Sequence, residues 1–372
     1  MKWSLIGPKI PALVWRSQMF RAHSLEDVAQ GIRWDPMRSP ADWEGLDARE
    51  LPDNQRVLLL IHGTGLRTRE GFMGLSPEEF QRLYQQYGDR IIAFQHRALG
   101  RYLDENVRQL CAWLGRGGVP LRLDILGLSR GGLLARYIGE GWAEGMPGAE
   151  LAELHKVIFV GTPNGGTPSA RRDPPFKGSR PMKAWRVDVR RMALVNQNSR
   201  EVELLPDPFS IAPYIPEEDE RFGIWPGIRG SQDQLPTSQV LRRLNGFLGA
   251  APGPTQTTLR YFGIASIFDF GFGAPDKQLY KGEHGTRKAV TAWALPMTND
   301  LVVPTASVYA PHQGPHACGL FPLTRERLIV LAPSANVTHV GLLRVDRVRH
   351  QILDWLRSKL SPDVSAVTDP ES

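Results

Sequence analysis

The chain has 372 residues, 41% of them hydrophobic and 23% charged, a globular composition long enough for one large or two small domains with a well-buried core. Nowhere do roughly 18 apolar residues run together, so no bilayer-spanning helix is predicted. Two distant cysteines, Cys111 and Cys318, make neither a disulfide framework nor a cysteine zinc signature, which predicts a reducing, cytoplasmic setting. The net charge of +6 permits weak attraction to anionic partners, but no recognised nucleic-acid module surrounds it, so no nucleic-acid partner is expected.

Pro8, Lys9 and Pro11 interrupt any hydrophobic run near the start, and residues 1–54 read as an arm packed on the core, not as a targeting segment. Val57–Ile61 is a continuous apolar run, as a central strand buried on both faces requires. A helix is predicted over Pro77–Tyr87: Ser76 and Glu79 have capping-box spacing, and Phe80, Leu83, Tyr84 and Tyr87 share a face. Arg90–Phe94 is the next strand. A helix over about Leu103–Leu114 places Leu103, Val107, Leu110, Cys111 and Leu114 at helical spacing, which makes Cys111 a core position and not a reactive thiol. Arg122–Leu126 reads as a strand, Arg130–Glu140 as a helix and Val157–Val160 as a strand. This alternation predicts a parallel sheet with helices on its faces.

The alternation then stops. Residues 166–256 are rich in Pro, Gly, Arg and aromatics, with one helix predicted around Ser238–Phe247, and read as a cap or lid inserted over the sheet. Within them, 171–191 holds eight basic and two acidic residues. That cluster fits a solvated loop surface, with peripheral contact to an anionic membrane surface as the alternative. Sheet patterning resumes at Leu259–Ala265 and Arg327–Leu331. A final amphipathic helix is predicted from about Gly341 to Leu360, with Leu342, Val345, Val348, Ile352, Leu356 and Leu360 on one stripe. The core is thus expected at 55–165 and 257–360, with 361–372 a flexible tail.

Gly127-Leu128-Ser129-Arg130-Gly131 fits G-x-S-x-G, after an apolar strand and at the opening of a helix. A tight strand-to-helix turn strains the serine backbone and lifts its Oγ above the sheet, while the flanking glycines let neighbouring backbone pack close. Upstream, His62-Gly63-Thr64-Gly65 follows the first strong strand. There the Thr64 amide could pair with the Arg130 amide to bind an oxyanion, with Gly63 and Gly65 giving the loop its freedom and His62 shaping it.

A serine nucleophile needs an imidazole to accept its proton and a carboxylate to orient that imidazole, in the chain order Ser, acid, His. Of the later histidines, His284, His312, His316, His339 and His350, only His339 follows the last apolar strand by a short loop and precedes the last helix. His350 falls inside that helix, on its solvent side. For the acid, position alone leaves both Asp300 and Asp269 open, with Asp276 and Glu283 less well placed.

Taken together, the stretches LLLIHGTG (58–65), YGDRIIAFQHRALG (87–100), LDILGLSRGGLLARYI (123–138), VIFVGTPNGGTP (157–168), LPTSQVLRRLN (235–245), NDLVVP (299–304) and THVGLL (338–343) resemble bacterial lipase-like α/β hydrolases, close to lipase and inositol-deacylase relatives. The resemblance implies an α/β-hydrolase fold with a cap and no metal or organic cofactor. It also favours Asp300 in NDLVVP as the acid and supports His339 in THVGLL as the base. Leu128 departs from the family pattern, in which many relatives have His before the nucleophile. The expectation is a serine hydrolase of carboxylic esters, with lipid or acyl-chain esters favoured. Acyl transfer by the same three residues, or a non-catalytic binding protein on the same fold, are the alternatives.

Overall fold

The computed structural model describes residues 30–33, 45–51, 55–64, 66, 68–72, 74–98, 100–167, 229–249, 258–268, 298–300, 302–335 and 337–358. Its strands are β1 (Gln30–Arg33), β2 (Gly45–Leu46), β3 (Arg56–Ile61), β4 (Ile91–Gln95), β5 (Leu121–Leu128), β6 (Ala152–Val160), β7 (Arg260–Ser266) and β8 (Leu328–Leu331). They form one eight-stranded sheet in the order β2-β1-β4-β3-β5-β6-β7-β8. From β4 to β8 all neighbours are parallel, while β1 pairs antiparallel with β4 and β2 antiparallel with β1.

A parallel strand covered on both faces must be apolar at every position, and its side-chain period of two divides it between two cores. Strand β3 does this: Val57, Leu59 and Ile61 enter one core, Leu58 and Leu60 the other. The first core is completed by α3 (Leu103–Gly117) and α4 (Arg130–Gly139), through residues such as Leu110, Cys111 and Leu133. On the opposite face, α2 (Pro77–Tyr87) supplies Phe80 and Leu83, and α8 (Asp346–Arg357) supplies Val348, Ile352 and Leu356. Shorter helices are α1 (Thr68–Phe72), α5 (Arg229–Gln232), α6 (Gln239–Leu244) and α7 (Thr305–Tyr309).

Helix α2 starts where its capping box predicts: Ser76 Oγ accepts from the Glu79 amide at 3.4 Å, and Glu79 Oε2 accepts from the Ser76 amide at 2.8 Å. Helix α3 runs three residues past the predicted Leu114 and stops at Gly118, whose φ of +66° takes the left-handed turn. Strand β6 begins at Ala152, before its fully apolar half. The single helix predicted from Gly341 is instead two pieces, a 3-10 turn His339–Arg344 and then α8, because Val345 is extended (φ −85°, ψ 120°). Strands β1 and β2 lie in the segment read as an arm. Of the 166–256 insertion, 168–228 and 250–256 lie outside the described residues, as does 361–372. Helix α6, inside the predicted 238–247 helix, packs Leu241 and Leu244 into the first core. No helix among the described residues is long and apolar enough to cross a membrane.

Candidate active site

The turn from β5 into α4 is a single residue, Ser129. Its φ of 52° and ψ of −125° make it the only non-glycine at positive φ among the described residues. Such a backbone costs on the order of 1–3 kcal/mol and persists only where the surroundings impose it. Here the Ser129 amide donates to the Val160 carbonyl at 2.8 Å, and its own carbonyl accepts from the Gly132 amide at 3.0 Å. Helix α4 then passes so close to β3 that a Cβ on Gly131 would lie 2.1 Å from the Ile61 oxygen. Gly127 likewise abuts Gly132. Leu128 turns away into the second core, beside Gly71.

The chain leaving β3 through His62, Gly63 and Thr64 runs against this turn. A Cβ on Gly63 would sit 2.8 Å from Ser129 Cβ and 3.5 Å from its Oγ. Thr64 is the next residue along this loop, and Arg130 follows the serine. Arg130 opens α4, where the amide has no intrahelical partner and the helix end carries partial positive charge. His62 is buried and stacks on His96 with 4.1 Å between ring centroids. Its Nδ1 lies 3.0 Å from the Gly63 oxygen, and its Nε2 accepts from the His96 amide at 3.2 Å. His62 thus braces the loop. Gly65 lies outside the described residues.

Asp300 and His339 come together from loops after β7 and β8. His339 Nδ1 lies 2.7 Å from Asp300 Oδ2, and the His339 amide donates to the Asp300 carbonyl at 2.9 Å. The other carboxylate oxygen, Oδ1, accepts from the amides of Val302 (3.0 Å) and Val303 (2.7 Å), so the NDLVVP loop folds around its own acid. Asp300 is 1% exposed and His339 7%. A neutral imidazole that donates Nδ1–H to this carboxylate carries its lone pair on Nε2, the atom a general base uses. The ring lies against Gly161, where a Cβ would be 2.8 Å from His339 Cε1 and 2.9 Å from Nδ1. Gly161 directly follows Val160, the residue that holds the Ser129 amide.

Two residues that sequence reasoning missed complete the surroundings. Asp233 Oδ2 accepts from the buried Arg130 side chain at 3.4 Å and from the Leu103 amide at 2.5 Å. Arg130 Nη2 also donates to the Arg101 carbonyl at 3.0 Å. Burial pushes the Arg130 guanidinium down and the Asp233 carboxyl up, each shift opposed by the other's charge. Gln234 Nε2 donates to Thr64 Oγ1 at 2.8 Å. Both residues stand just before the LPTSQVLRRLN stretch, and nothing local in the sequence marks them.

The competing histidines lie elsewhere: His312 packs on the Phe247 ring, the His316 amide donates to Gly246, and His350 is exposed on α8. Asp269, Asp276, Glu283, His284 and the basic run 171–191 lie outside the described residues. Among the described residues no group of three or more His, Cys, Asp or Glu could hold a metal ion. Burial pushes the Cys111 thiol up to about 12, as a core cysteine requires.

A six-stranded parallel run with a strained serine between β5 and α4, and an acid and a histidine on the loops after β7 and β8, define an α/β-hydrolase fold. Within that class the chain belongs to the family described as Domain of unknown function (DUF7379), whose model matches residues 21–357. No curated protein matches the chain by sequence. Similar solved structures include a gene product of Listeria innocua, at 15% identity and TM-score 0.39, covering 83% of this chain and 96% of that one. The phospholipase PlaB from Legionella pneumophila is similar at 14% identity and TM-score 0.39 over 68% of this chain, which spans only 45% of that longer protein. A serine hydrolase from the bacterium Cycloclasticus zankles is similar at 12% identity and TM-score 0.39, covering 81% and 90% of the two chains.

Proposed function

We propose that this protein is a serine hydrolase of carboxylic esters working through an acyl-enzyme. The observation that carries the reading is Ser129 at φ 52°, its amide bonded to Val160, with an imidazole bonded to a buried carboxylate lying against the next residue, Gly161. In this reading Ser129 Oγ attacks the ester carbonyl while His339 Nε2 takes its proton, and Asp300 holds the imidazolium. The tetrahedral oxyanion is met by the Thr64 and Arg130 amides, each worth roughly 2.7–4 kcal/mol of barrier. His339 returns the proton to the departing alcohol, and water then attacks the acyl-serine by the same route in reverse to release the acid. No metal or organic cofactor takes part.

Lipid or acyl-chain esters are the favoured substrates; Phe176, Trp185, Phe209, Phe222 and Trp225 of the insertion, all outside the described residues, are read first as the insertion's own core, with an acyl groove as the alternative. A cytoplasmic setting is part of the same proposal, and 171–191 is read as a solvated loop surface, with contact to an anionic membrane surface as the alternative. The test is turnover of p-nitrophenyl esters of graded chain length. Ser129→Ala and His339→Ala are expected to lower kcat by roughly 10⁴-fold or more, and Asp300→Asn by about 10⁴-fold, with KM little changed. Substitution of Ser129 without loss of turnover would refute the mechanism, and transfer of the acyl group to added alcohol in preference to water would make the protein an acyltransferase.

A further inference from the structure

We infer that Asp233 and Gln234 are a positioning pair that holds the two halves of the oxyanion hole in register; this rests on the ester-hydrolase reading above. The two residues are neighbours in the turn between α5 and α6, yet their side chains go to different loops. Asp233 Oδ2 holds the side chain of Arg130, whose amide directly follows the nucleophile, and at the same time takes the Leu103 amide at the start of α3. Gln234 Nε2 holds Thr64 Oγ1 at 2.8 Å and also donates to the Gly230 carbonyl at 3.0 Å, which fixes the amide in one orientation.

The same turn reaches the acid. The Gln234 carbonyl accepts from the Thr167 amide at 2.8 Å, and the Thr167 hydroxyl donates to the Val302 carbonyl. Val302 is one of the two residues whose amides hold Asp300. A single two-residue turn therefore ties the nucleophile elbow, the oxyanion loop and the acid loop together.

Physical need supports the assignment. Thr64 stands between Gly63 and Gly65, so its loop has little stiffness of its own. An oxyanion donor works only when it is aimed in advance. Asp233 and Gln234 are each 5% exposed, and burying a carboxylate and an amide is costly unless their bonds are made, so the turn is stable chiefly in the position that makes them. Sites held by such supporting hydrogen bonds keep productive geometry to a fraction of an ångström.

The experiment compares wild type, Gln234→Ala, Thr64→Val and the double variant. For each, kcat and KM on p-nitrophenyl butyrate, inhibition by a trifluoromethyl ketone whose tetrahedral adduct carries an oxyanion, and thermal melting are measured. If the wild type reacts with a fluorophosphonate but does not turn this ester over, the rate of fluorophosphonate labelling replaces kcat. Gln234→Ala is expected to lower kcat about 10- to 100-fold, with KM within about 3-fold of wild type. Ketone affinity should fall in step, and the double variant should be no worse than the poorer single. Unchanged kcat in folded Gln234→Ala, or losses that multiply in the double variant, would overturn the inference while leaving the hydrolase reading intact. If Gln234→Ala does not fold, Thr64→Val breaks the same bond from its other end, and the same expected and overturning values of kcat apply to it. A folded wild type that neither hydrolyses the ester nor reacts with the fluorophosphonate overturns the hydrolase reading itself, and the inference with it.

Discussion

Gly161 does two things at once: its φ of +59° takes the chain out of β6, and its missing side chain makes room for the His339 ring. Gly161→Ala therefore costs about 1–2 kcal/mol of backbone strain and pushes the imidazole aside. A displacement near 1 Å is worth about 10²-fold in rate, so kcat on a hydrolysed ester should fall by that order while urea unfolding shows only the small stability loss. A kcat equal to wild type would mean that the ring does not depend on this contact. His96, stacked beneath His62, makes a second prediction. Burial pushes its imidazole well below the ordinary 6.5, with the neighbouring His62 and Arg130 acting in the same direction. The folded protein keeps His96 neutral while the unfolded chain takes up a proton as pH falls through about 6.5, so stability from this group is present above that pH and lost below it. The loss approaches about 1.4 kcal/mol per pH unit. Replacing His96 by Phe keeps the stack, and denaturant midpoints measured between pH 7 and pH 5 should fall less steeply for the variant than for wild type. Parallel slopes would contradict this.

Helix α8 is held at its C-terminal end by side chains of the sheet and of α2. Lys156 on β6 donates to the carbonyls of Trp355 (2.7 Å), Leu356 (3.1 Å) and Ser358 (2.6 Å), and Arg56 and Gln86 also reach Leu356. The last carbonyls of a helix lack intrahelical donors and carry partial negative charge, so a buried cation there satisfies both needs. Lys156→Met should destabilise the fold by about 2–4 kcal/mol, and hydrogen exchange should rise first in the last turn of α8. Uniform exchange along the helix would argue against an end clamp. At this scale the sequence was most legible where a strand is a short apolar run: β3, β4 and β8 lie within a residue of their predicted ends. Strands β1 and β2 gave no such signal. QGIR carries one large apolar residue, and it is a strand because it pairs with β4 on one side and β2 on the other, a tertiary effect that outweighs local pattern.

The whole molecule places every proposed reacting group at the carboxyl end of a parallel sheet, where such sheets hold their ligands. That much was readable from spacing, because the elbow, the loop after β3 and the last two loops each carry a local pattern. Choosing Asp300 over Asp269 needed the family resemblance; the bond of Asp300 to His339, 39 positions away, appears only in the folded chain. Asp233 and Gln234 were not readable at all, since their partners Arg130 and Thr64 stand 103 and 170 positions off. The most direct measurement is reaction of the folded full chain with a fluorophosphonate probe, read by intact mass and peptide mapping. One probe per chain on Ser129 is predicted for the wild type, none for Ser129→Ala, and labelling at least 10²-fold slower for His339→Ala. A folded wild type that stays unlabelled, or a label on any residue other than Ser129, would contradict the account.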